Sequence, residues 1–94
     1  MPPKDSTKEL ERKARVFALV GDSTRIRMLR LLAKKDKVNV TDIATEVGMS
    51  VAFISHHLQL LKDNNVLQNE REGNTIYYML NKDPFIKNIM SLIK

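Results

Sequence analysis

Apolar residues recur three and four positions apart through the first third of the chain, a spacing that predicts two amphipathic helices. The first helix is expected to begin at the capping box Ser6-Thr7-Lys8-Glu9 and to run to about Val20. Gly21 ends it, and Asp22 or Ser23 can cap the second helix, which ends in the polar run 34–37. The shared faces are Leu10, Ala14, Phe17 and Ala18 in the first helix and, predicted to point inward, Ile26, Leu29, Leu32 and Ala33 in the second.

Two shorter helices joined by a tight turn are predicted next, over residues 41–63. Thr41 is the expected N-cap of the first, Gly48 ends it, and Ser50 caps the second. Two short helices joined through three residues that include glycine are typical of a helix-turn-helix. The preceding run 38–40 is too short to decide between a strand and an extended connector.

A β-hairpin and a last helix complete the pattern. Two β-prone runs within residues 66–80 flank Glu72-Gly73-Asn74, in which glycine can adopt positive φ. Asp83 is the expected N-cap and Pro84 the first residue of a helix over 84–93. The order α-α-α-α-β-β-α predicts a mainly α winged helix-turn-helix with a small β-hairpin. We expect it to form a single domain over residues 1–94, with residues 1–5 disordered.

Composition excludes several classes of protein. Hydrophobic residues make up 43% of the chain, and unbroken apolar stretches such as Val16–Val20 are far shorter than the roughly 20 residues of a transmembrane helix. We therefore expect a soluble, cytoplasmic protein without a membrane partner. The absence of cysteine excludes disulfides and cysteine-based zinc sites. Because the sequence contains no glycine-rich phosphate loop and no spaced acid–base pair, we expect neither an enzyme nor a cofactor.

Positive charge is concentrated in residues 1–37. This segment contains eleven Lys or Arg and five Asp or Glu, a net charge of +6, whereas residues 38–94 contain five and six, a net charge of −1, and the two sum to the +5 of the whole chain. A basic protein of this size favours an anionic partner such as nucleic acid, although a run of charge can equally be a solvated helix face.

Three stretches of the sequence resemble the ArsR/SmtB family of bacterial and archaeal repressors. They are Val20-Gly21-Asp22-Ser23-Thr24-Arg25-Ile26-Arg27-Met28-Leu29, then Ser55-His56-His57-Leu58 through Leu61, and Arg71-Glu72-Gly73 with Tyr77-Tyr78, in the family's order and spacing. The resemblance covers about residues 10–93. It implies a homodimeric winged-helix repressor that binds operator DNA and, in many members, releases it when an inducer binds. The sequence does not identify an inducer.

The metal sites that the resemblance brings with it lack most of their ligands. Where the family has a Cys-x-Cys pair, this chain has Asn39 and Thr41, neither of which is a soft ligand. At the last helix Asp83 remains, but Pro84-Phe85 follow it and the helix contains no His. Metal sensing at either site is therefore not expected.

The helix that follows Ser50 is predicted to enter the major groove and to read base edges. Gln59 is suited to pair with adenine, whereas Val51 and Phe53 are either contacts to thymine methyl groups or packing residues. His57 is predicted to pack against the core and His56 to contact DNA. The full set of predicted DNA contacts is Thr41, Ser50, Val51, Ala52, Phe53, Ser55, His56, Gln59, Arg71 and Asn74.

The hairpin corresponds to the wing, which the resemblance places on the DNA backbone or in the minor groove. Its tip, residues 70–74, contains two carboxylates and only Arg71 as a cation, so we expect it to add little affinity. The remaining attraction to phosphate would then come from the first two helices and the residues just after them, for example Lys34, Lys35 and Lys37, if they face the DNA.

Two copies are needed to read enough base pairs for specificity. The predicted dimer interface consists of Leu10, Ala14, Phe17, Phe85, Ile86, Ile89, Met90 and Ile93, for which ordinary core is the alternative. The sequence therefore predicts a sequence-specific DNA-binding regulator, a repressor that binds a pseudo-palindromic operator as a homodimer. The alternative is a winged-helix protein-interaction module with little affinity for DNA.

Overall fold

The computed structural model describes residues 7–94, which form five helices and a three-stranded sheet. The elements are α1 (Thr7–Val20), α2 (Ser23–Lys35), β1 (Lys37–Asn39), α3 (Val40–Val47), α4 (Val51–Asp63), β2 (Leu67–Glu72), β3 (Thr75–Leu80) and α5 (Pro84–Ile93). The predicted mainly α winged helix-turn-helix is confirmed. The expected cap at Ser6 and the expected disorder of residues 1–5 lie outside the described residues.

The run that the sequence pattern left undecided is a strand, so the fold has one strand more than predicted. β1 pairs antiparallel with β3, which also pairs with β2, and the sheet order is β1-β3-β2. Val38, the central residue of β1, is buried, and Asp36 adopts a φ of 61° where the chain turns out of α2. The third strand therefore joins the end of α2 to the wing.

One face of each helix packs into a common core. In α4 the buried residues are Ile54, His57, Leu58 and Leu61, which follow helical spacing. In α2 they are Met28, Leu29 and Leu32. Ala33 was predicted to point inward and is exposed, because the buried stripe is centred on Met28 and Leu32 and the next residue lies about 100° further round the helix.

Side-chain caps fix where the helices begin. The predicted caps at Asp22, Ser50 and Asp83 are confirmed, each accepting a hydrogen bond from a backbone N–H three residues later. The predicted cap at Thr41 is wrong. Asn39 Oδ1 accepts the hydrogen bond from the N–H of Asp42 at 2.8 Å, so α3 begins directly after β1.

Within residues 7–94, no helix has the length and apolar character needed to cross a lipid bilayer.

Candidate nucleic-acid interface

α4 presents an exposed face opposite its buried one. Ala52, Ser55, His56 and Gln59 lie on it at helical spacing, and all four side chains are exposed. The Ser50 hydroxyl accepts a hydrogen bond from the N–H of Phe53 at 3.1 Å and fixes the start of the helix. The short side chains of Ala52 and Ser55 on this face allow another surface to approach the helix backbone closely, as insertion into a groove requires.

The carboxamide of Gln59 already has a partner within the helix. Its Nε2 donates a hydrogen bond to Oδ1 of Asp63, one turn later, at 2.8 Å. A bidentate contact with adenine uses both the oxygen and the nitrogen of the carboxamide. A base contact by Gln59 would therefore have to replace its bond to Asp63.

Val51 and Phe53 each fit both interpretations that the sequence left open, packing and contact with another surface. Their exposed fractions are 45% and 46%. The Phe53 ring packs edge-on against the ring of His57, with 4.5 Å between the centroids. Each side chain is thus partly packed and still offers apolar surface beside the exposed face of α4.

His57 is the packed histidine that the sequence predicted. It is 7% exposed, and its Nδ1 accepts a hydrogen bond from Nε of Arg25 in α2 at 3.1 Å. Its buried Nε2 has no hydrogen-bond partner among residues 7–94. Burial lowers the pKa of His57, and the nearby positive charge of Arg25 lowers it further. The role of Arg25 in holding α4 was not anticipated.

The lowered pKa of His57 predicts that acid destabilises the fold. Because the folded state disfavours the protonated imidazole, stability is complete above the ordinary pKa of about 6.5 and falls as pH drops from there towards the lower folded-state pKa. We expect His57→Gln, which retains a hydrogen-bond acceptor for Arg25, to show a smaller fall in Tm between pH 7.5 and 5.5 than the wild type. An equal fall in both proteins would show that another group controls the acid response.

The two faces of the wing differ in charge. Side chains alternate between the faces along β2, so Glu70 and Glu72 lie on one face and Arg71 on the other. The guanidinium of Arg71 is exposed and has no hydrogen bond or ion pair among the described residues, whereas both carboxylates are paired. The wing can therefore offer its cation on a face that does not carry the carboxylates.

Lys37 is the partner of both wing carboxylates. From β1 its ammonium group crosses the ring of Tyr77, 5.0 Å from the centroid, and forms ion pairs with Glu70, at 2.9 Å, and with Glu72. These two carboxylates raise the pKa of Lys37 above its usual range. Of the three lysines expected to attract phosphate, Lys37 instead neutralises the wing, and Lys35 lies 3.6 Å from Glu46.

A cleft brings two predicted DNA contacts together. It has a volume of about 410 Å³ and lies between the start of α3 and the turn of the wing, with Thr41 and Asn74 both in its lining. Both side chains are exposed. Gly73 precedes Asn74 with a φ of 62°, which allows the two-residue turn between β2 and β3.

The predicted dimer residues fall into two groups. Leu10 and Phe17 are 58% and 56% exposed, and Ala14 between them is also exposed. The ring of Phe17 packs edge-on against that of half-buried Phe85, with 5.8 Å between centroids, so α1 and α5 share one apolar patch.

The second group of predicted interface residues packs into the protomer itself. Ile86, Ile89 and Met90 are buried in the core and offer no appreciable area to a partner. Ile93 is partly buried against the same core. Leu92, which is not among the predicted interface residues, is exposed and lies seven residues after Phe85, on the same side of α5.

Both carboxylate oxygens of Asp83 accept hydrogen bonds from other residues. Its Oδ1 accepts the capping bond from the N–H of Ile86 at 2.9 Å, and its Oδ2 accepts one from Arg12 at 3.3 Å. The Ile86 N–H, together with Arg12, lowers the pKa of Asp83. Within residues 7–94, no three His, Cys, Asp or Glu side chains are grouped closely enough to hold a metal ion.

The sequence matches one protein family and several of its individual members. Residues 22–68 match the family described as bacterial regulatory protein, arsR family. The chain is 34% identical over 77 residues to a cadmium resistance transcriptional regulatory protein CadC homolog of Staphylococcus aureus, covering 82% of this chain and 63% of that protein. It is 42% identical over 66 residues to the transcriptional repressor SdpR of Bacillus subtilis, covering 70% of this chain and 72% of that protein.

The fold matches solved structures over nearly its whole length. The solution structure of a homodimeric winged helix-turn-helix DNA-binding domain, from a possible ArsR-family transcriptional regulator of Mycobacterium bovis, has a TM-score of 0.80 and 29% sequence identity. The match covers 99% of this chain and 86% of that chain.

The chain spans 63% and 59% of the lengths of the cadmium-resistance regulators from Staphylococcus aureus and Listeria innocua.

Proposed function

The chain belongs to the arsR family of bacterial regulatory proteins, and we propose that it is a transcriptional repressor that binds a pseudo-palindromic operator as a homodimer. The observation that carries the proposal is the exposed face of α4, made of Ala52, Ser55, His56 and Gln59, in a helix-turn-helix within the matched residues. The proposed role is regulatory rather than enzymatic, and the protein would act on promoter DNA in the cytoplasm.

α4 is proposed to read bases with its exposed face. An α-helix fits the major groove of B-form DNA, and residues in its first turns come closest to the base edges. Ser55 and His56 supply polar groups, and Val51 and Phe53 supply apolar surface that suits thymine methyl groups. Readout would therefore combine few hydrogen bonds with apolar contact.

Phosphate contacts are proposed to flank α4. The exposed guanidinium of Arg71 supplies charge, and Thr41 and Asn74 supply uncharged polar groups on either side of a cleft whose lining also includes the carboxylate of Asp42. The N–H groups at the start of α4, near Ser50, add a site that favours an anion. Because Lys37 neutralises much of the negative charge on the wing, the wing repels DNA less than its sequence suggests.

The dimer is proposed to form through the apolar patch on α1 and α5. Its members are Leu10, Ala14, Phe17, Phe85 and Leu92, with Ile93 at its edge. The homodimeric relative from Mycobacterium bovis supports a twofold assembly. A twofold axis between the subunits would place the two α4 helices about one helical turn of DNA apart.

The protein is proposed not to sense metal at the two sites known in its family. Asn39 caps α3 through its side chain, and Asp83 caps α5 while it binds Arg12. Metal binding at the second position would have to compete with Arg12 for the carboxylate of Asp83. A signal that releases the DNA would therefore have to act elsewhere in the protein.

Gln59→Ala is expected to weaken binding to the selected operator by about 1–3 kcal/mol, because it removes one bidentate base contact. The free protein loses only an exposed bond to Asp63, so Tm is expected to change little. Fluorescence anisotropy with operator and with random duplex measures the difference. An equal loss on both duplexes would assign Gln59 to the phosphate backbone instead.

Lys37→Gln is expected to weaken binding to operator and random DNA alike. The substitution leaves Glu70 and Glu72 without their cation and adds negative charge to the wing. The loss is expected to be severalfold at low salt and to shrink as salt increases. Lys82→Gln removes one exposed positive charge outside the wing and is the matched control. An effect of the same size in both variants would contradict this role for Lys37.

Titration of labelled promoter DNA at several salt concentrations tests the proposed function. A dimer that neutralises about 6–10 phosphates is expected to give a steep linear fall of log affinity with log salt concentration. A weak response that salt does not change would contradict DNA binding and favour a winged-helix module that binds another protein.

A further inference from the structure

A cavity opens between α2, the end of α3 and the end of α5. Its volume is about 740 Å³, within the range of roughly 300–1,000 Å³ that is usual for small-molecule sites. Its lining includes Arg27, Arg30, Lys34, Leu31, Val47 and Met90, and none of its lining residues belongs to α4, β2 or β3. It is therefore a different surface from the proposed DNA interface.

Two arginines stand at this cavity with most of their hydrogen-bonding capacity unused. Nη2 of Arg27 donates to the carbonyl of Val47 at 3.2 Å, and Nε of Arg30 donates to the carbonyl of Ile93 at 2.7 Å. Each bond holds a guanidinium in place and uses one of its five N–H donors. Neither guanidinium forms an ion pair with a carboxylate of residues 7–94.

The charge of the lining is strongly positive. The side chains of Arg27, Arg30, Lys34 and Lys94 contribute four positive charges and that of Glu46 one negative charge, a net side-chain charge of +3. The carboxylate of Glu46 lies 3.6 Å from Lys35, which is outside the lining. The ammonium group of Lys34 has no hydrogen bond or ion pair within the part of the chain that the structure describes. The cavity thus contains cations without counterions.

Apolar side chains form the rest of the lining. Val47 and Met90 belong to the hydrophobic core, and Leu31 packs against it. A DNA backbone gains nothing from this surface, since phosphates and sugars present little hydrocarbon. A hydrocarbon chain gains roughly 25 cal/mol for each Å² that it removes from water. Positive charge beside concave apolar surface therefore favours an amphiphilic anion over nucleic acid.

We propose that this cavity binds a small organic carboxylate with a hydrocarbon tail. The guanidiniums of Arg27 and Arg30 bind the carboxylate, since their fork geometry matches its two oxygens. The tail lies against Leu31 and Ala33 and over the small exposed areas of Val47 and Met90, which are 6% and 8% exposed. Val47 ends α3 immediately before the turn into α4, so the ligand contacts the helix-turn-helix. An effect of the ligand on operator affinity rests on the proposed function, whereas binding itself does not.

Titration of the wild-type protein with decanoate, followed by NMR of its backbone amides, tests the proposal. We expect saturable binding with the largest shifts at Arg30, Leu31 and Val47. Acetate, which lacks the tail, and decyltrimethylammonium, which reverses the charge, are expected not to saturate the same amides. The double variant R30Q/K34Q is expected to bind decanoate about tenfold more weakly, because it removes Arg30, one of the two guanidiniums proposed to hold the carboxylate, and a second exposed cation of the lining.

Lys87→Gln is the matched control, since Lys87 is an exposed cation on α5 outside this lining. It is expected to bind decanoate as the wild type does. The proposal would be overturned if decanoate shifted mainly amides outside this lining, or if decyltrimethylammonium bound as tightly as decanoate. It would also be overturned if R30Q/K34Q bound decanoate with wild-type affinity. Shifts at these amides with duplex DNA and none with decanoate would overturn it as well. If the protein bound decanoate saturably but did not bind promoter DNA, the proposed ligand site would be supported and only the proposed regulatory function would be contradicted.

Discussion

Ser55→Glu is expected to abolish operator binding while the protomer stays folded. Ser55 is exposed in the middle of the open face of α4, and glutamate is a good helix former, so Tm is expected to change little. In the major groove the new carboxylate would lie between two phosphate backbones. We expect a loss of at least about 3 kcal/mol, or roughly 100-fold in affinity, because like charges at an interface cost several kcal/mol.

Ser91→Glu is the matched control for this substitution. Ser91 is exposed on the solvent side of α5, about 100° around the helix from Leu92. Anisotropy with operator DNA and thermal melting of each protein separate loss of binding from loss of folding. Wild-type affinity in Ser55→Glu would show that this face of α4 does not enter the groove.

Phe17→Asp is expected to convert the dimer into folded monomers. Phe17 is more than half exposed in the protomer and joins α1 to Phe85 of α5. The proposed twofold interface would bury this residue in both copies, so two aromatic contacts would be lost together. With about 2 kcal/mol for each buried aromatic anchor, the dissociation constant is expected to rise roughly 1,000-fold. Sedimentation velocity measures the change, and far-UV circular dichroism checks the fold.

Ile89→Asp tests whether the apolar stripe of α5 at Ile89 belongs to the core or to the dimer interface. Ile89 is on the apolar stripe of α5 but only 5% exposed, so an unpaired carboxylate there is expected to unfold the protomer rather than dissociate a folded dimer. If Phe17→Asp remained dimeric, the apolar patch on α1 and α5 would not be part of the dimer interface. If Ile89→Asp were folded and monomeric, Ile89 would belong to the dimer interface rather than to the core.

Local signals in the sequence predicted most helix boundaries. Ser50 and Asp83 were recognised because an N-cap depends on residues within one turn of it. Thr41 failed as a cap because β1 runs directly into α3, so Asn39 serves both elements. The strand itself spans three residues, too few for a period of two to be recognised.

Long-range contacts were out of reach of the same reasoning. Lys37 lies 33 residues before Glu70, and their pairing depends on the position of β3 between their strands. The charge count of the wing was correct, but its neutralisation required the sheet register. The stripe on α5 was recognised as apolar, but spacing alone could not divide it between core and interface, because that division depends on how α1 packs beside it.

Selection of bound duplexes from a random DNA pool tests the central claim most directly. If a dimer places two α4 helices in successive major grooves, the enriched sequences are expected to contain an inverted repeat with half-site centres about 10 base pairs apart. Inserting five base pairs between the half-sites turns one to the opposite side of the duplex and is expected to abolish binding. Enrichment of a single unrepeated element, or affinity that survives the insertion, would contradict the claim.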